Sequence, residues 1–451
     1  MDRKIIVLDD DPTGVQTIHN LSVYTCWDIN SVREGFNESE EMFFILTNSR
    51  SFSKEKTIKT HQEIAKNIVK VSKESGKDFV IICRGDSTLR GHYILEMDII
   101  SATIRELTGR EMDGQIICPS FFEGGRITID NIHYLKEKDK LVPIAETEFS
   151  KDKTFGYYHS HLGLYIEEKT NGLYKENECM YIDHKELKKA NIYPLMNKLD
   201  SISNEKKVIV NATEYSQLEF FCESLRLSLA NKKNFIIRSA ASFVKVFGRI
   251  SDKPLLTGKE LLNTNNQNGG LIIVGSHVDK TTKQLKALMD SNLPVTFLEF
   301  NIQKVIKQNK KNVIQTISNQ AQNLIQKGQN VVIFTSREVF ISKAMDDEEL
   351  LEISVQISNA LSSIVMKLES TPSFIIAKGG ITSSDIAKKG LNVIKARVLG
   401  QITKGVPVWI TGIESKFPNF PYIIFPGNIG EDSYLKDIIE ELGKRKTPTS
   451  Y

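Results

Sequence analysis

The stretch Lys4–Gly14, KIIVLDDDPTG, sets an apolar β-rich run against an abrupt acidic loop. Phe79–Gly91, FVIICRGDSTLRG, repeats the arrangement with arginines added. A short buried run that ends in Asp, Thr and Gly places carboxylates and hydroxyls at the carboxyl edge of a strand, where open α/β sheets bind ligands. In the second loop Arg84 and Arg90 flank Gly85, Asp86, Ser87 and Thr88. Guanidinium groups grip carboxylate or phosphate oxygens in pairs, so the two loops suit an anionic substrate and a proton or phosphoryl transfer.

Outward from these loops, Ile5 to Leu8, Met42 to Leu46, Phe79 to Cys83 and Gln115 to Cys118 read as buried strands. Helical spacing fills the gaps at Ser53 to Ser75 and His92 to Leu107. Alternation of strand and helix predicts an α/β fold with a largely parallel sheet covered on both faces. Residues 136–206 are more polar, carry Lys and Glu clusters with breaks at Gly163 and Gly172, and are expected to form an elaborated insert. Val208 to Asn211, a helix over Glu214 to Ala230 and Phe235 to Ser239 restore the α/β rhythm.

Leu255 to Gly270 holds Gly258, a run of Asn and Gln, and Gly269-Gly270, and reads as the seam between two domains. The expected layout is an N-terminal α/β domain over 1–254, a linker over 255–270 and a C-terminal α/β domain over 271–451, with the active site in the interdomain cleft. The second half alternates strands at Leu271 to Val274, Val295 to Leu298, Val331 to Phe334 and Phe374 to Ala377 with helices at Lys280 to Met289, Val313 to Gln326 and Glu349 to Leu368. Further strands are expected near Val393, Val408 and Ile423. A helix near Leu435 to Leu442 leads into a basic tail expected to fray.

At 451 residues the chain is too long for one ordinary core. Lys+Arg 59 against Asp+Glu 56 gives +3, without the concentrated basic face of a nucleic-acid binder. No apolar run reaches the roughly 18 residues that span a bilayer. The expectation is a soluble cytoplasmic protein with small-molecule partners, its assembly open and a homodimer allowed. Cys26, Cys83, Cys118, Cys179 and Cys222 form no C-x-x-C pair and are expected to be buried free thiols.

Three other features of the first half compete for attention. Arg50, in Asn48-Ser49-Arg50-Ser51 after the second strand, falls at the same sheet edge and is a candidate for a substrate carboxylate. Gly124-Gly125-Arg126 follows the strand ending at Pro119 and reads either as a pocket wall or as a plain loop. His159-Ser160-His161 would suit a metal pair on a strand but has no partner cluster nearby in sequence, and no metal site is assigned. The loop Asp9-x-Asp11-x-Thr13-Gly14 also resembles the first motif of haloacid-dehalogenase-type phosphatases, with Asp9 as nucleophile and Thr47 as the strand-end Thr. No later acidic metal-binding motif follows in that family's order. The plainest reading of the acidic loop is a turn that caps the next segment. For the second loop it is that Asp86 or Ser87 caps the helix near His92.

In the second half no G-x-x-x-x-G-K-[ST] loop occurs. Three glycine loops nevertheless follow strands and precede helices: Gly275-Ser276-His277, Lys378-Gly379-Gly380-Ile381-Thr382 and Pro426-Gly427-Asn428-Ile429-Gly430. Backbone amides and a Ser or Thr hydroxyl at such junctions cradle phosphates without a signature lysine.

Taken together, these residues resemble the four-carbon acid sugar kinase family, with its Asp-Asp-x-Thr-Gly start, basic-x-Asp-Ser-Thr-Leu-Arg-Gly loop and later Gly-Ser, Gly-Gly-x-Thr and Gly-Asn-x-Gly elements. The resemblance implies a first domain that binds a sugar acid of the threonate, erythronate or 3-oxo-tetronate class. It implies a second that binds ATP with Mg2+, and transfer of phosphate to the terminal hydroxyl. It places Asp10, Asp11, Arg50, Arg84, Gly85, Asp86 and Ser87 at the substrate, and Ser276, Gly379, Gly380, Ile381, Thr382 and Gly427 at the nucleotide. Asp11 or Asp86 is then the base, with Arg90 beside the moving phosphoryl group, and Asp9 produces the phosphatase-like spacing by accident. Pro12, Arg84, Val278, Ile381 and Phe425-Pro426 depart from the family pattern. Those departures also admit a non-catalytic metabolite sensor that keeps both pockets.

Overall fold

The computed structural model describes residues 3–188, 191–263, 265–303, 310–336 and 347–444. It divides into two compact units, one running through Asp252 and one from Lys253. The first is built on strands β1 (Arg3–Asp9), β2 (Ser22–Tyr24), β3 (Met42–Leu46), β4 (Asp78–Arg84) and β5 (Gly114–Cys118). A small antiparallel sheet of β6 (Arg126–Ile129), β7 (Ile132–Glu137) and β8 (Lys140–Pro143) follows, then β9 (Met180–Ile182), β10 (Lys206–Val210) and β11 (Phe235–Ser239). The main sheet runs β2-β3-β1-β4-β11-β5-β10-β9, parallel at every pairing.

All-parallel strands are covered by helices on both faces, which is why β1, β3 and β4 are apolar almost without interruption. The helix Lys54–Ser75 shows how a segment docks on such a sheet. The Ser53 hydroxyl caps it by accepting from Lys56 N–H, and Gly76 ends it at φ +69°. Its Thr57, His61, Ile64, Ala65 and Ile68 recur at helical spacing and are buried. Ile64, Ala65 and Ile68 join Ile6, Phe43 and Ile81 in the first unit's core.

The second unit holds β12 (Leu271–Val274), β13 (Val295–Phe300), β14 (Asn330–Thr335), β15 (Ile375–Lys378), β16 (Lys395–Thr403), β17 (Val406–Thr411) and β18 (Pro421–Phe425). Its sheet order is β13-β14-β12-β15-β18-β17-β16, parallel as far as β18 and antiparallel at β18-β17 and β17-β16. Helices at Asp279–Met289, Lys310–Gln326, Asp347–Lys367 and Tyr434–Gly443 accompany it. Both units are therefore α/β, with helices flanking a mostly parallel sheet, as the alternation predicts.

Several local expectations shift. Antiparallel strands begin at Arg126, ahead of the polar stretch expected at 136, because alternate burial along Arg126–Glu137 marks a two-faced sheet rather than a buried strand. Gly163 sits inside the helix Leu162–Lys169 instead of breaking the chain, whereas Gly172 does take φ +79°. The strand expected near Val393 starts at Lys395. Within 255–270, Leu256, Leu261 and Leu262 are buried in the second unit's core, and the helix Gly258–Leu261 carries a Thr257/Glu260 capping box. The basic tail from residue 445 lies outside the described residues.

Candidate active site

β1 lies between β3 and β4, and β4 between β1 and β11, so the loops that leave the carboxyl ends of these strands are neighbours. That adjacency brings Asp9, Asp10 and Asp11 together with Arg50, with the Arg84–Arg90 loop and with Arg238 at the end of β11. Asp11 caps the short helix Pro12–Val15, its Oδ1 accepting from Thr13 N–H at 2.9 Å and from Thr13 Oγ1 at 2.6 Å. Its other oxygen, Oδ2, lies 3.6 Å from Arg50. The turn-capping reading of this loop therefore holds, and it coexists with a charged cluster.

The three aspartates differ sharply in surroundings. Asp9 is 1% exposed, its Oδ1 3.5 Å from Arg84. A Cβ on Gly14 would collide with the Asp9 carboxylate, so glycine there is a requirement of close packing. Burial, reinforced by the neighbouring charges of Asp10 and Asp11 and opposed by Arg84, lifts the Asp9 carboxyl to about 8. Asp10 accepts from Arg50 at 2.6 and 3.3 Å and lies 4.0 Å from Arg238. Burial opposes the charge on Arg50, but Asp10, Asp11 and Asp86 together hold its guanidinium firmly protonated.

Asp86 accepts from Thr88 N–H at 3.2 Å, from Thr88 Oγ1 and from Arg90 Nε at 2.7 Å. Burial would raise its pKa, yet Arg90, Arg50 and the Thr88 hydroxyl drive it far below the usual carboxylate range. The helix after this loop starts at Leu95, and Asp86 closes a turn onto Thr88 instead of capping that helix. Arg90 also approaches Asp152 at 3.7 Å and lies 5.2 Å from the Phe149 ring. Gly85 donates to the Ser239 carbonyl at 2.9 Å, and a Cβ there would strike the Arg238 guanidinium.

Sequence reasoning missed the residues that hold this loop from a distance. Arg238 Nη1 donates to Glu96 Oε2 at 2.8 Å, and Ser49 Oγ donates to Glu96 Oε1 at 2.6 Å. Burial pushes the Glu96 carboxyl up, but Arg238 and His61 hold it below the ordinary value. Three successive carbonyls of the loop are fixed by side chains from the insert. His133 Nε2 meets Ser87 O at 2.8 Å, Tyr157 Oη donates to Thr88 O at 2.7 Å, and Tyr165 Oη donates to Leu89 O at 2.7 Å. Burial lowers the His133 pKa to about 4, so it is neutral and donates through Nε2 to that carbonyl. Leu89 sits at φ +66°, a conformation unfavourable for a branched side chain, and the Tyr165 hydrogen bond helps to hold it. Arg238 had one legible signal, a lone arginine at the end of the apolar run Phe235 to Ile237.

In the second unit the ends of β12, β15 and β18 are adjacent, and they carry the three glycine loops. Gly275 and Ser276 N–H groups donate to Lys378 O at 3.3 Å, and Gly379 N–H donates to Phe425 O at 2.8 Å. Thr281 Oγ1 ties Gly427 O at 2.8 Å to Ser276 Oγ at 3.2 Å. A Cβ on Gly275 would collide with Thr382 Oγ1, one on Gly379 would stand 3.0 Å from Ser276 Cβ, and one on Gly427 would stand 2.7 Å from Ser276 Oγ. Ser276, Gly379, Thr382 and Gly427 thus meet around one cradle, while Ile381, 42% exposed, faces outward. Lys378 lies behind the cradle, fully buried, donating to Pro426 O at 2.9 Å.

The histidine motif is dispersed. His159 Nδ1 lies 2.8 Å from Glu168, while His161 Nδ1 accepts from Leu164 N–H at the start of a helix. Among the described residues no group of three or more His, Cys, Asp or Glu is arranged to hold a metal ion, and none of their helices is long and apolar enough to cross a membrane. All five cysteines are free; Cys83, Cys118 and Cys222 are buried as expected, whereas Cys26 and Cys179 are only partly buried.

Comparison with known proteins agrees with this division of labour. Residues 5–247 match the model of a sugar-binding N-terminal domain, and residues 271–435 that of a nucleotide-binding C-terminal domain. Fold and sites define a two-unit α/β protein with a sugar-binding unit and a nucleotide-binding unit. The chain belongs to the four-carbon acid sugar kinase family. Among solved structures it is similar to a Haemophilus influenzae protein of a domain-of-unknown-function family, at 15% identity and TM-score 0.64, covering 97% of this chain and 100% of that one. It is also similar to a Salmonella typhimurium LT2 protein provisionally described as a tRNA synthase, at 14% identity and TM-score 0.67, covering 96% and 98%. At such identity these likenesses speak for the fold. No curated protein matches the chain.

Proposed function

We propose that the protein is an ATP-dependent kinase that phosphorylates the terminal hydroxyl of a four-carbon acid sugar of the threonate, erythronate or 3-oxo-tetronate class, giving the 4-phosphate and ADP. The observation that carries this reading is that the sugar-binding unit holds arginine-matched carboxylates and the nucleotide-binding unit holds three converging glycine loops.

In this reaction the terminal hydroxyl oxygen forms a bond to the γ-phosphorus as the bond to the β,γ-bridging oxygen breaks, and ADP leaves. The hydroxyl proton needs an acceptor. Asp11 is the better candidate, because among the described residues the nearest cation to its Oδ2 is Arg50 at 3.6 Å, with no hydrogen bond to that oxygen, and its side chain is 15% exposed. Asp86 is held too strongly ionised to take a proton readily, so it acts as a fixed acceptor that orients the hydroxyl. Arg50 and Arg84 keep Asp10 and Asp11 in register, Gly85 and Ser87 line the loop, and Arg90 offsets charge on the transferring phosphoryl group.

Ser276, Gly379, Gly380, Thr382 and Gly427 would hold the nucleotide phosphates, with Ile381 at the rim, since a side chain at Gly379 or Gly427 would crowd Ser276. Magnesium would enter on those phosphates and neutralise their charge. The phosphatase reading needs Asp9 as an open nucleophile, and Asp9 is buried behind Gly14. The test is ADP release from magnesium-ATP with each four-carbon acid, compared with ATP alone. Acid-dependent ADP supports the kinase, and ligand binding without turnover supports the sensor.

A further inference from the structure

The arginines at the carboxyl edge of the first unit are almost all already matched by carboxylates. Arg50 has Asp10 and Asp11, at 2.6 and 3.6 Å. Arg84 lies 4.0 Å from Asp10 and 3.5 Å from the Asp9 carboxyl, Arg90 has Asp86 at 2.7 Å and Arg238 has Glu96 at 2.8 Å. A guanidinium that already holds a buried carboxylate cannot also grip a second one with both edges.

Arg126 differs. No carboxylate of the described residues lies within 4.0 Å of it, and its Nη1 donates to the Gly124 carbonyl at 2.5 Å; its buried Nε has no hydrogen-bond partner, which is true of Arg84 Nε as well. It lies 5.8 Å from the Phe149 ring, the same ring that Arg90 approaches at 5.2 Å, and it senses both Asp86 and Arg90 electrostatically. Burial lowers its hold on its own proton, as expected of a cation withdrawn from water without a counter-ion.

Its place is built, not incidental. Arg126 opens β6, exchanges backbone hydrogen bonds with Phe121 at 2.8 and 3.0 Å, and pairs with Leu135 on β7. The same β7 carries His133, which fixes the Ser87 carbonyl one residue from Asp86. Arg126 and Asp86 are thus carried by segments fastened to each other.

We propose that Arg126 is the receptor for the substrate's carboxylate, the arginine near Asp86 that has no carboxylate of the described residues within 4.0 Å. This rests on the sugar-acid reading of the first unit and assigns its specificity for an acid over a neutral polyol of the same length.

The test compares the full-length protein with Arg126→Met, which keeps length without charge, and Arg126→Lys. Calorimetry with threonate and erythronate gives affinity without nucleotide, and ADP release gives kcat and KM. Thermal melting checks that each variant is folded. The expected result is a roughly 10- to 150-fold loss of acid affinity in Arg126→Met, the range of one charge-assisted contact. KM should rise more than kcat falls, discrimination against threitol and erythritol should shrink, and Arg126→Lys should recover part of the affinity. Unchanged acid binding by folded Arg126→Met overturns the proposal, as does a fall in kcat with affinity intact, which would move Arg126 to the phosphoryl group. Should the wild type bind acids without making ADP while Arg126→Met loses that binding, the kinase reading fails and the carboxylate receptor stands. A wild type that binds no acid overturns both.

Discussion

Replacing Asp86 with Asn probes the centre of the site at nearly constant shape. The Asp86 side chain is 12% exposed and accepts from Thr88 N–H, Thr88 Oγ1 and Arg90 Nε. In Asn the oxygen can still face the Thr88 amide, but the amide nitrogen must then confront Arg90 Nε–H, donor against donor. Arg90 would be left with Asp152 at 3.7 Å. One charge-assisted hydrogen bond is worth about 1.5–3 kcal/mol. Removing a partly buried carboxylate regains some desolvation energy, so the net stability loss should be about 1–2 kcal/mol. Because Asp86 is depressed in the folded protein, its contribution is present above its ordinary pKa of 3.8 and lost as pH falls below that value. The variant should therefore differ least from wild type in strong acid. The same hydrogen-bond energy applied to the terminal hydroxyl predicts a loss of roughly 10- to 150-fold in kcat/KM. Coupled ADP assays, urea unfolding at pH 7 and a double-mutant cycle with Arg90→Met would measure these terms. A folded Asp86→Asn with wild-type kcat/KM, or additive effects of the two changes, would refute the assignment.

Asp9→Asn should keep both fold and turnover, because an amide mimics the neutral carboxyl that burial favours, whereas a phosphatase using Asp9 would lose all activity. Asp9 titrates at about 8 when folded against an ordinary 3.8, so the folded state takes up a proton and the wild type loses stability as pH rises between those values. Denaturation midpoints across that window should show a weaker decline in Asp9→Asn. Tyr157→Phe and Tyr165→Phe each strip the donor from a loop carbonyl and should cost about 1–3 kcal/mol apiece. A raised KM for the acid in the double variant, with nucleotide affinity unchanged by calorimetry, would identify the loop as their target. Gly275→Ala drives a methyl into Thr382 Oγ1 and should weaken nucleotide binding by about 1–3 kcal/mol, read by calorimetry with ADP, while acid binding by the first unit is retained.

How much was legible depends on how local the determinant is. β3, β11 and β12 fall on the expected residues because continuous apolar runs identify doubly covered strands. β2 spans only three residues and the helix Ile29–Asn37 only nine, so although its Ser31, Val32, Gly35 and Phe36 share a buried face, both are shorter than the window in which a period stands out. The acidic loop and the Asp86 loop could be read because each is contiguous in sequence. Glu96, His133, Tyr157 and Tyr165 could not, and Arg238 only as a lone arginine closing an apolar run, since strand order alone brings β11 beside β4 and the insert against the loop. Arg50 illustrates the limit. Its place at the sheet edge was readable, but its pairing with Asp10 emerges only from the fold.

The most direct test of the central claim is ADP formation by the purified full-length protein with magnesium-ATP and a panel of threonate, erythronate and 3-oxo-tetronate stereoisomers, with the product acid followed by phosphorus NMR. The account predicts ADP and an equal amount of acid 4-phosphate with at least one member, above the rate with ATP alone. No acid-dependent ADP across the panel, together with phosphate release from acid 4-phosphates in the absence of ATP, would contradict it.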